Sequence, residues 1–461
     1  MKNIFALIIA VFASISYGAD HCVKDTTGLG SGNYGSMDGS DWDNAYPELP
    51  ATLTRGDTYY IAYGNYGSYE CNDPVGDSSY IYIKKAVDTA HGIATGWNSS
   101  YGDGQAIFTV TSGYSILNIM SSYYYFDGVT GGGPENWFTG YGIKLDLEDT
   151  TAYGIQVSAS GTPNINNINI SHIEIEGNRE LIYNQRAYQQ YYGGKNIYIG
   201  YCYFHDVYKD MLEFDSVDSS IIEYNFIGPN GNSSIDPLNS MHSAGIVISN
   251  ISNFVVRYNF LEDLSETGYI CLVNDEVGDA VVNFYIYGNI FYETRQREGT
   301  QNGYTFSFAR ENTYGKNIKF YNNTIANRYL EGGGNAVMYS VIVDSGGNEF
   351  VNNIWHNNYT NFVSYSPGWG HTYNYYSDNK ASIAAEDNIQ LETGDPFTDM
   401  SNRDFSLVAP TNNGASLSAY FSSDMFGTEY GSDGVWDRGA IEYGTTTVND
   451  DTGYIYLKIG E

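Results

Sequence analysis

Seven segments between Ile165 and Asn358 repeat one phrase, and no other feature restricts the fold of this chain as much. They read "INNINISHIEIEGN", "KNIYIGYCYFHDV", "SSIIEYNFIGPN", "SNFVVRYNFLEDL", "VNFYIYGNIFYET", "KNIKFYNNTIANR" and "GNEFVNNIWHNN". Each is an alternating apolar run that ends in a polar residue and then adds another apolar pair. Aligned on that residue, the positions are His172, Cys202, Asn225, Asn259, Asn289, Asn323 and Asn353, with steps of 30, 23, 34, 30, 34 and 30 residues. Strands repeating at this period, with no helical pattern between them, predict a solenoid.

The rest of the composition fits strands and turns. The chain holds 46 Tyr and 52 Gly against 10 Pro. Tyrosine suits a pleated, half-buried surface, and glycine suits tight turns. A net charge of −33 excludes nucleic-acid binding through the bulk field. It fits a soluble, negative surface, or carboxylates clustered to hold Ca²⁺.

Residues 1–18 carry Lys2, an apolar run from Ile4 to Ala13, and small residues at Ser16 and Gly18. That pattern predicts a secretory signal peptide, and the run is too short to span a membrane. The expectation is a secreted or cell-surface monomer. Four cysteines in that setting allow a Cys22–Cys71 staple, with Cys202 and Cys271 as small buried residues.

Residues 19–105 read as an N-terminal cap with a short helix near Ala45–Leu53, 106–378 as the coils, 379–443 as an irregular closing segment, and 444–461 as a linker and terminal strand. Alternation nominates Ile221, Phe226, Val255, Phe260, Ile286, Ile290, Ile318 and Ile354 as the core stack. Asparagines at one turn of successive coils bond to the next coil, so Asn225, Asn259, Asn289, Asn323 and Asn353 are expected to be structural.

The repeated "NIxIxxNxF", the opening "GDTYYIAYGNYGSY" and the ending "DRGAIEY" (437–443) make residues 40–443 resemble the right-handed parallel β-helix proteins of the pectate-lyase-like superfamily. The resemblance implies an all-β, right-handed parallel β-helix that meets an extracellular polysaccharide. It implies no particular chemistry, since the superfamily holds lyases, hydrolases, epimerases and adhesins of acidic polysaccharides and surfaces.

Candidate chemistry falls on a second family of strands. In "KDMLEFDSV", Leu212 and Phe214 point inward, which leaves Asp210, Glu213 and Asp215 at the turn or outside. Later coils place His242, Glu266 and Asn302 before the equivalent strand and Asp275 and Arg310 after it. With coils about 4.8 Å apart, Lys209, Asp210, His242, Glu266 and Asn302 would form one ridge, and Asp215, Asp275 and Arg310 another. β-Elimination on a uronate needs a cation, a base and a group for the leaving oxygen. Asp210, Glu213 and Asp215 are the expected Ca²⁺ ligands, and His242, Arg310 and Lys209 the expected base or charge stabilisers. Arg186, Tyr191, Tyr192, Glu266 and Asn302 are the expected substrate contacts, and His205 beside Asp206 is a second histidine candidate. The Tyr clusters at 121–128, 188–194 and 372–379 are candidate sugar platforms. The first expectation is thus a polysaccharide lyase. Its alternatives are a non-catalytic surface β-helix, and a hydrolase pairing Asp210 with Glu266 or Asp215 with Asp275.

Overall fold

The computed structural model describes residues 18–444 except 26–34, 111–113, 149, 151, 158–163, 179–184, 232–242, 265–267, 273–279, 295–296, 299–303, 309–313, 328–329, 332–337, 341–342, 345, 359–368 and 379–385. The predicted signal peptide and terminal strand lie outside the described residues. No helix among the described residues is long and apolar enough to cross a membrane.

The expected parallel β-helix is what the chain forms. Three long sheets of 9, 14 and 12 strands, here sheets 1, 2 and 3, run the length of the molecule. Each full coil contributes one main strand to each sheet in that order. One coil, for example, passes through Leu212–Asp215, Val217–Glu223 and Phe226–Ile227 before returning to sheet 1 at Ala244–Ser249. Neighbouring strands are parallel and in register, as in Phe254↔Phe284 and Phe284↔Ile318. The sheets start earlier than residue 106: Asp20–Val23 already pairs with Thr58–Ile61.

From Tyr201 on, the corner between sheets 2 and 3 is two residues long and explains the repeated phrase; in two earlier coils the same connection runs from Lys85 to Ala106 and from Asp127 to Ile143. The first of the two has positive φ: 56° at Tyr201, 54° at Tyr224, 55° at Tyr258 and 65° at Gly288. The second carries the asparagine ladder. Asn225 Nδ2 donates to Asn259 Oδ1 at 2.9 Å, and Asn259 Nδ2 to Asn289 Oδ1 at 3.0 Å. The series continues from Asn289 to Asn323 at 3.0 Å and from Asn323 to Asn353 at 3.2 Å. It then reaches Asn374, bonded at 2.9 Å, and ends on the Glu386 carboxylate at 3.2 Å. Each Oδ1 also takes the backbone N–H of the preceding ladder residue, as Asn289 does from Asn259 at 3.0 Å. His172 does not belong in this column. Glu174 pairs with Tyr203, so Ile173 stands opposite Cys202, and His172 (φ 56°) precedes the column.

The same corner corrects the expected core. A left-handed residue interrupts the alternation, so a count carried through the corner puts the wrong side chains inside. Ile286 and Ile318 do lie in the solenoid interior, beside Ile222, Phe254, Val256 and Phe284. Ile221 and Val255 are half-buried, in alternation with the inward Ile222 and Val256. Phe226, Phe260, Ile290 and Ile354 belong to a second apolar cluster with Phe397, Phe405, Leu407, Phe421 and Trp436.

That second cluster is how the C-terminal segment docks. A hairpin of Phe397–Asp399 with Asp404–Leu407, followed by irregular chain to Tyr443, lies along the side of the solenoid rather than across its end. Phe405 meets Phe260 at 5.6 Å and Tyr292 at 5.1 Å, and Phe421 stacks on Tyr287 at 4.6 Å. Arg403 grips Glu262 through Nε at 2.6 Å and Nη2 at 2.7 Å.

Two expectations for the N-terminal region fail. Ala45–Leu53 has no helix, because Pro47 and Pro50 lack N–H donors and clash with a preceding turn. Cys22 and Cys71 form no disulfide; all four cysteines are buried and none is disulfide-bonded. Cys22 packs with Trp42 and Ala45, whereas Cys71 packs in the solenoid core. Cys202 and Cys271 are small buried residues, as expected.

Two tests follow from this packing. Asn289→Ala strips the acceptor from two Asn259 donors and the donor from two carbonyls, so it should destabilise the fold by about 3 kcal/mol. Asn283→Ala, in an exposed ladder that donates to Asn253 at 2.8 Å, should cost under about 1 kcal/mol. Equal denaturation midpoints for the two would refute the assignment. The docked segment also buries Glu442 and Asp424, whose carboxyls burial pushes up to about 8 and about 6. Carboxyls raised above their unfolded values bind protons on docking. Docking should therefore be strongest in acid and weaken as pH rises from about 4.5 to about 8. Hydrogen exchange of residues 397–443 should accelerate over that window, and Glu442→Gln should flatten the response.

Candidate functional site

In the coils from Asn225 on, the corner between sheets 2 and 3 is fixed by the ladder, which leaves longer connections there to the other two corners. The chain runs from Ile227 to Ala244 and from Ala326 to Met338 between its main strands of sheet 3 and sheet 1. Sheet 1 is therefore entered through long, variable segments, and side chains of successive coils stand in register along it.

Strand Leu212–Asp215 alternates as expected: Leu212 and Phe214 are buried, while Glu213 and Asp215 are half-exposed. Glu213 gathers three donors. Gln189 Nε2 gives 2.7 Å to Oε2, Tyr191 Oη gives 2.9 Å to Oε1, and Arg186 Nε lies 2.8 Å from Oε2. Register sets this up, because Gln189 stands directly opposite Glu213. Burial and the Glu213 charge push the Tyr191 phenol far up, so it remains a proton donor.

Arg186 also lies 3.2 Å from Asp210 Oδ2, and Asp210 Oδ1 takes the Ala244 N–H at 3.0 Å. Arg186 is 8 % exposed and Asp210 4 %, so the guanidinium is committed to two carboxyls and is not open to a substrate carboxylate. Its plane also lies 5.6 Å from the Tyr153 ring. Burial pushes the Asp210 carboxyl up to about 7, with Arg186 pulling it down and Glu213 pushing it up. Lys209 adds positive charge near the same carboxyl.

The calcium set does not fit this arrangement. Ca²⁺ takes six to eight oxygen ligands. Both Glu213 oxygens and both Asp210 oxygens already accept hydrogen bonds, and Arg186 supplies the cation between them. Asp215 takes the Ser216 hydroxyl at 3.1 Å.

Of the expected site residues, the structure brings together Arg186, Tyr191, Asp210 and Glu213, with Lys209 and Asp215 adjoining in sequence. Tyr192 follows Tyr191 and is 56 % exposed, its ring 6.2 Å from that of Tyr191. His242, Glu266, Asp275, Asn302 and Arg310 lie outside the described residues. Gln189, Gln156 and Tyr153 were missed. Their signal was register: once the strands are aligned, Gln156, Gln189 and Glu213 fall in one column. Among the Tyr clusters, Tyr124, Tyr188 and Tyr376 are core residues, while Tyr123 and Tyr125 remain half-exposed.

A second polar group lies on sheet 3. His205 Nδ1 and Asp206 are 2.8 Å apart, and His205 Nε2 and Glu174 3.3 Å. Ligand atoms of Glu174, Glu176 and His205 all lie within 4.8 Å of one another. Burial opposes the His205 charge, but Asp206 and Glu174 outweigh it and raise its pKa. One imidazole and two carboxylates suit a transition metal better than calcium. Lys144 already binds Glu176, however, and lies 3.4 Å from Asp146.

No protein-family model matches the chain, and no curated protein matches it. Among solved structures it is similar to the native form of a GH136 lacto-N-biosidase from Eubacterium ramulus, at 13 % identity and a TM-score of 0.36, over 81 % of this chain and 68 % of that one. The selenomethionine form of that enzyme gives 12 % identity and a TM-score of 0.37 over the same shares. Likeness at this level says nothing about what this chain binds or cleaves.

The Arg186 bridge can be tested alone. Arg186→Ala leaves Asp210 and Glu213 side by side without a counter-charge, and should cost about 3 kcal/mol in urea unfolding. Asp210→Asn in the same background should recover part of the loss. No recovery would mean that the pair does not set the cost.

Proposed function

We propose that the protein is a carbohydrate-active enzyme whose reacting groups are Glu213 and Asp215, and that it hydrolyses glycosidic bonds. Three donors converging on the partly buried Glu213 of sheet 1 carry this reading. Glu213 and Asp215 are two residues apart on one strand and alternate with the buried Leu212 and Phe214. Their Cα atoms are therefore about 6.6 Å apart. Side chains at i and i+2 leave the same face of a strand, as the two carboxyl groups that flank a glycosidic bond must. In this scheme Asp215 gives a proton to the departing oxygen. Glu213 supplies the electron pair at the anomeric carbon, itself or through a water. Gln189, Tyr191 and Arg186 fix the Glu213 rotamer before substrate arrives, so no ordering cost falls on the chemical step.

Asp210 is a positioning residue. While protonated it leaves the Arg186 charge to Glu213; once ionised it competes for the same guanidinium. Activity should fall above about pH 7, the value to which burial raises Asp210. Asp210→Asn should remove that limb while retaining most of the turnover.

Elimination remains the second reading, and one experiment covers both. The chain is incubated with neutral and uronate polysaccharides, and reducing ends and unsaturated-end absorbance are followed together. Hydrolysis predicts new reducing ends without absorbance, with Glu213→Gln and Asp215→Asn each losing about a thousandfold in kcat. Absorbance from unsaturated ends would replace hydrolysis with elimination. Wild-type rates in both variants would place the chemistry elsewhere.

A further inference from the structure

Glu213 is one member of a column that follows the solenoid axis on the outer face of sheet 1. Register aligns Glu70 with Asn118, Asn118 with Gln156, Gln156 with Gln189, and Gln189 with Glu213. Three consecutive coils thus carry uncharged amides in one column, with Asn118 and Gln156 half-buried and Gln189 2 % exposed, and the last two are joined. Gln156 Nε2 donates to Gln189 Oε1 at 3.4 Å, and Gln189 donates in turn to Glu213 at 2.7 Å. At the other end, Asn118 Oδ1 has no donor. An acceptor shielded from water without a donor costs free energy until one is supplied.

Beyond Glu213 the column changes character. Val247 and Cys271 follow in register, and with Ala244 they form a small buried apolar cluster. The polar track that includes Glu213 therefore extends from it toward the N-terminal end.

We propose that Asn118 and Gln156 form sugar-hydroxyl subsites, tied to Glu213 through the buried Gln189 amide, and that the substrate is a neutral glycan lying along the solenoid axis on the N-terminal side of Glu213. This rests on the reading of Glu213 and Asp215 as the reacting pair. The spacing is one amide per coil, about 4.8 Å, on the scale of one sugar ring. An amide offers both a donor and an acceptor, which matches hydroxyls that do both. Charge argues against a uronate. The column carries no cationic side chain and is bounded by Glu70 and Glu213, and the nearest guanidinium is engaged by Asp210 and Glu213. A polyanion entering this track would meet carboxylates at both ends on a chain of net charge −33.

The test is binding calorimetry on Asp215→Asn. The probes are xylo-, manno- and cello-oligosaccharides of two to six sugars, with oligogalacturonates of the same lengths. A neutral series should bind, with affinity rising over the first few sugars. Gln156→Ala and Asn118→Ala, each with an unchanged circular dichroism spectrum, should weaken the longest ligand about fivefold to tenfold. Tighter binding of oligogalacturonate, binding of no neutral series, or a Kd within twofold in both amide variants would overturn the proposal. If the neutral series binds as expected while Glu213→Gln and Asp215→Asn still turn over substrate, the subsites stand and the reacting pair falls.

Discussion

The buried amide-to-amide hydrogen bond along the sheet 2–sheet 3 corner is the constraint from which the other features follow. It joins one coil to the next at a point where the backbone turns and its own N–H and C=O groups lack strand partners. Each asparagine after Asn225 accepts two bonds from the coil before it and donates to carbonyls as well, as Asn259 does to Ile222 O at 2.9 Å and Arg257 O at 2.8 Å. A buried turn satisfied this completely can be as short as two residues. Its price is a left-handed residue in every coil, unusual for tyrosine. Ring stacking offsets part of that cost: Tyr201 lies 4.9 Å from Tyr224, and Tyr224 5.2 Å from Tyr258.

In the coils that carry the ladder, fixing one corner leaves length variation to the other two; before the ladder begins, the same corner holds connections from Lys85 to Ala106 and from Asp127 to Ile143. The unequal steps of the repeat are absorbed between sheet 3 and sheet 1 or between sheet 1 and sheet 2. Residues of several coils stand in register along sheet 1, while sheet 3 is covered by the C-terminal hairpin. Rigidity at one edge and variation at the other is a general way to place reacting groups on a stable scaffold.

Much of this was legible in the sequence. The spacing of Asn225, Asn259, Asn289, Asn323 and Asn353 identified the ladder and the fold, because an in-register solenoid requires the same side chain at the same corner. The inward set was not legible, because one left-handed residue shifts the alternation and no residue type marks it: tyrosine, glycine and asparagine all occupy the place. At the site, Arg186, Tyr191, Asp210 and Glu213 were found, but the role given to Arg186 was not the one it has. Composition cannot say that a guanidinium is already spent on two carboxyls. Pro47 and Pro50 were visible throughout and should have argued against the helix.

The ladder also has a direction. Every Oδ1 faces the preceding coil and every amide NH₂ faces the next, so the row begins where Asn225 accepts from the Cys202 N–H and ends on the Glu386 carboxylate. Arg438, nearby, donates to the Asn374 carbonyl at 3.1 Å. An asparagine added at the Glu386 end would have to displace that carboxylate and bring a new acceptor, whereas one added before Asn225, at the Cys202 corner, needs only a backbone N–H above it. The row can therefore lengthen or shorten at its Asn225 end, in the middle of the solenoid, while its Glu386 end is kept as a unit.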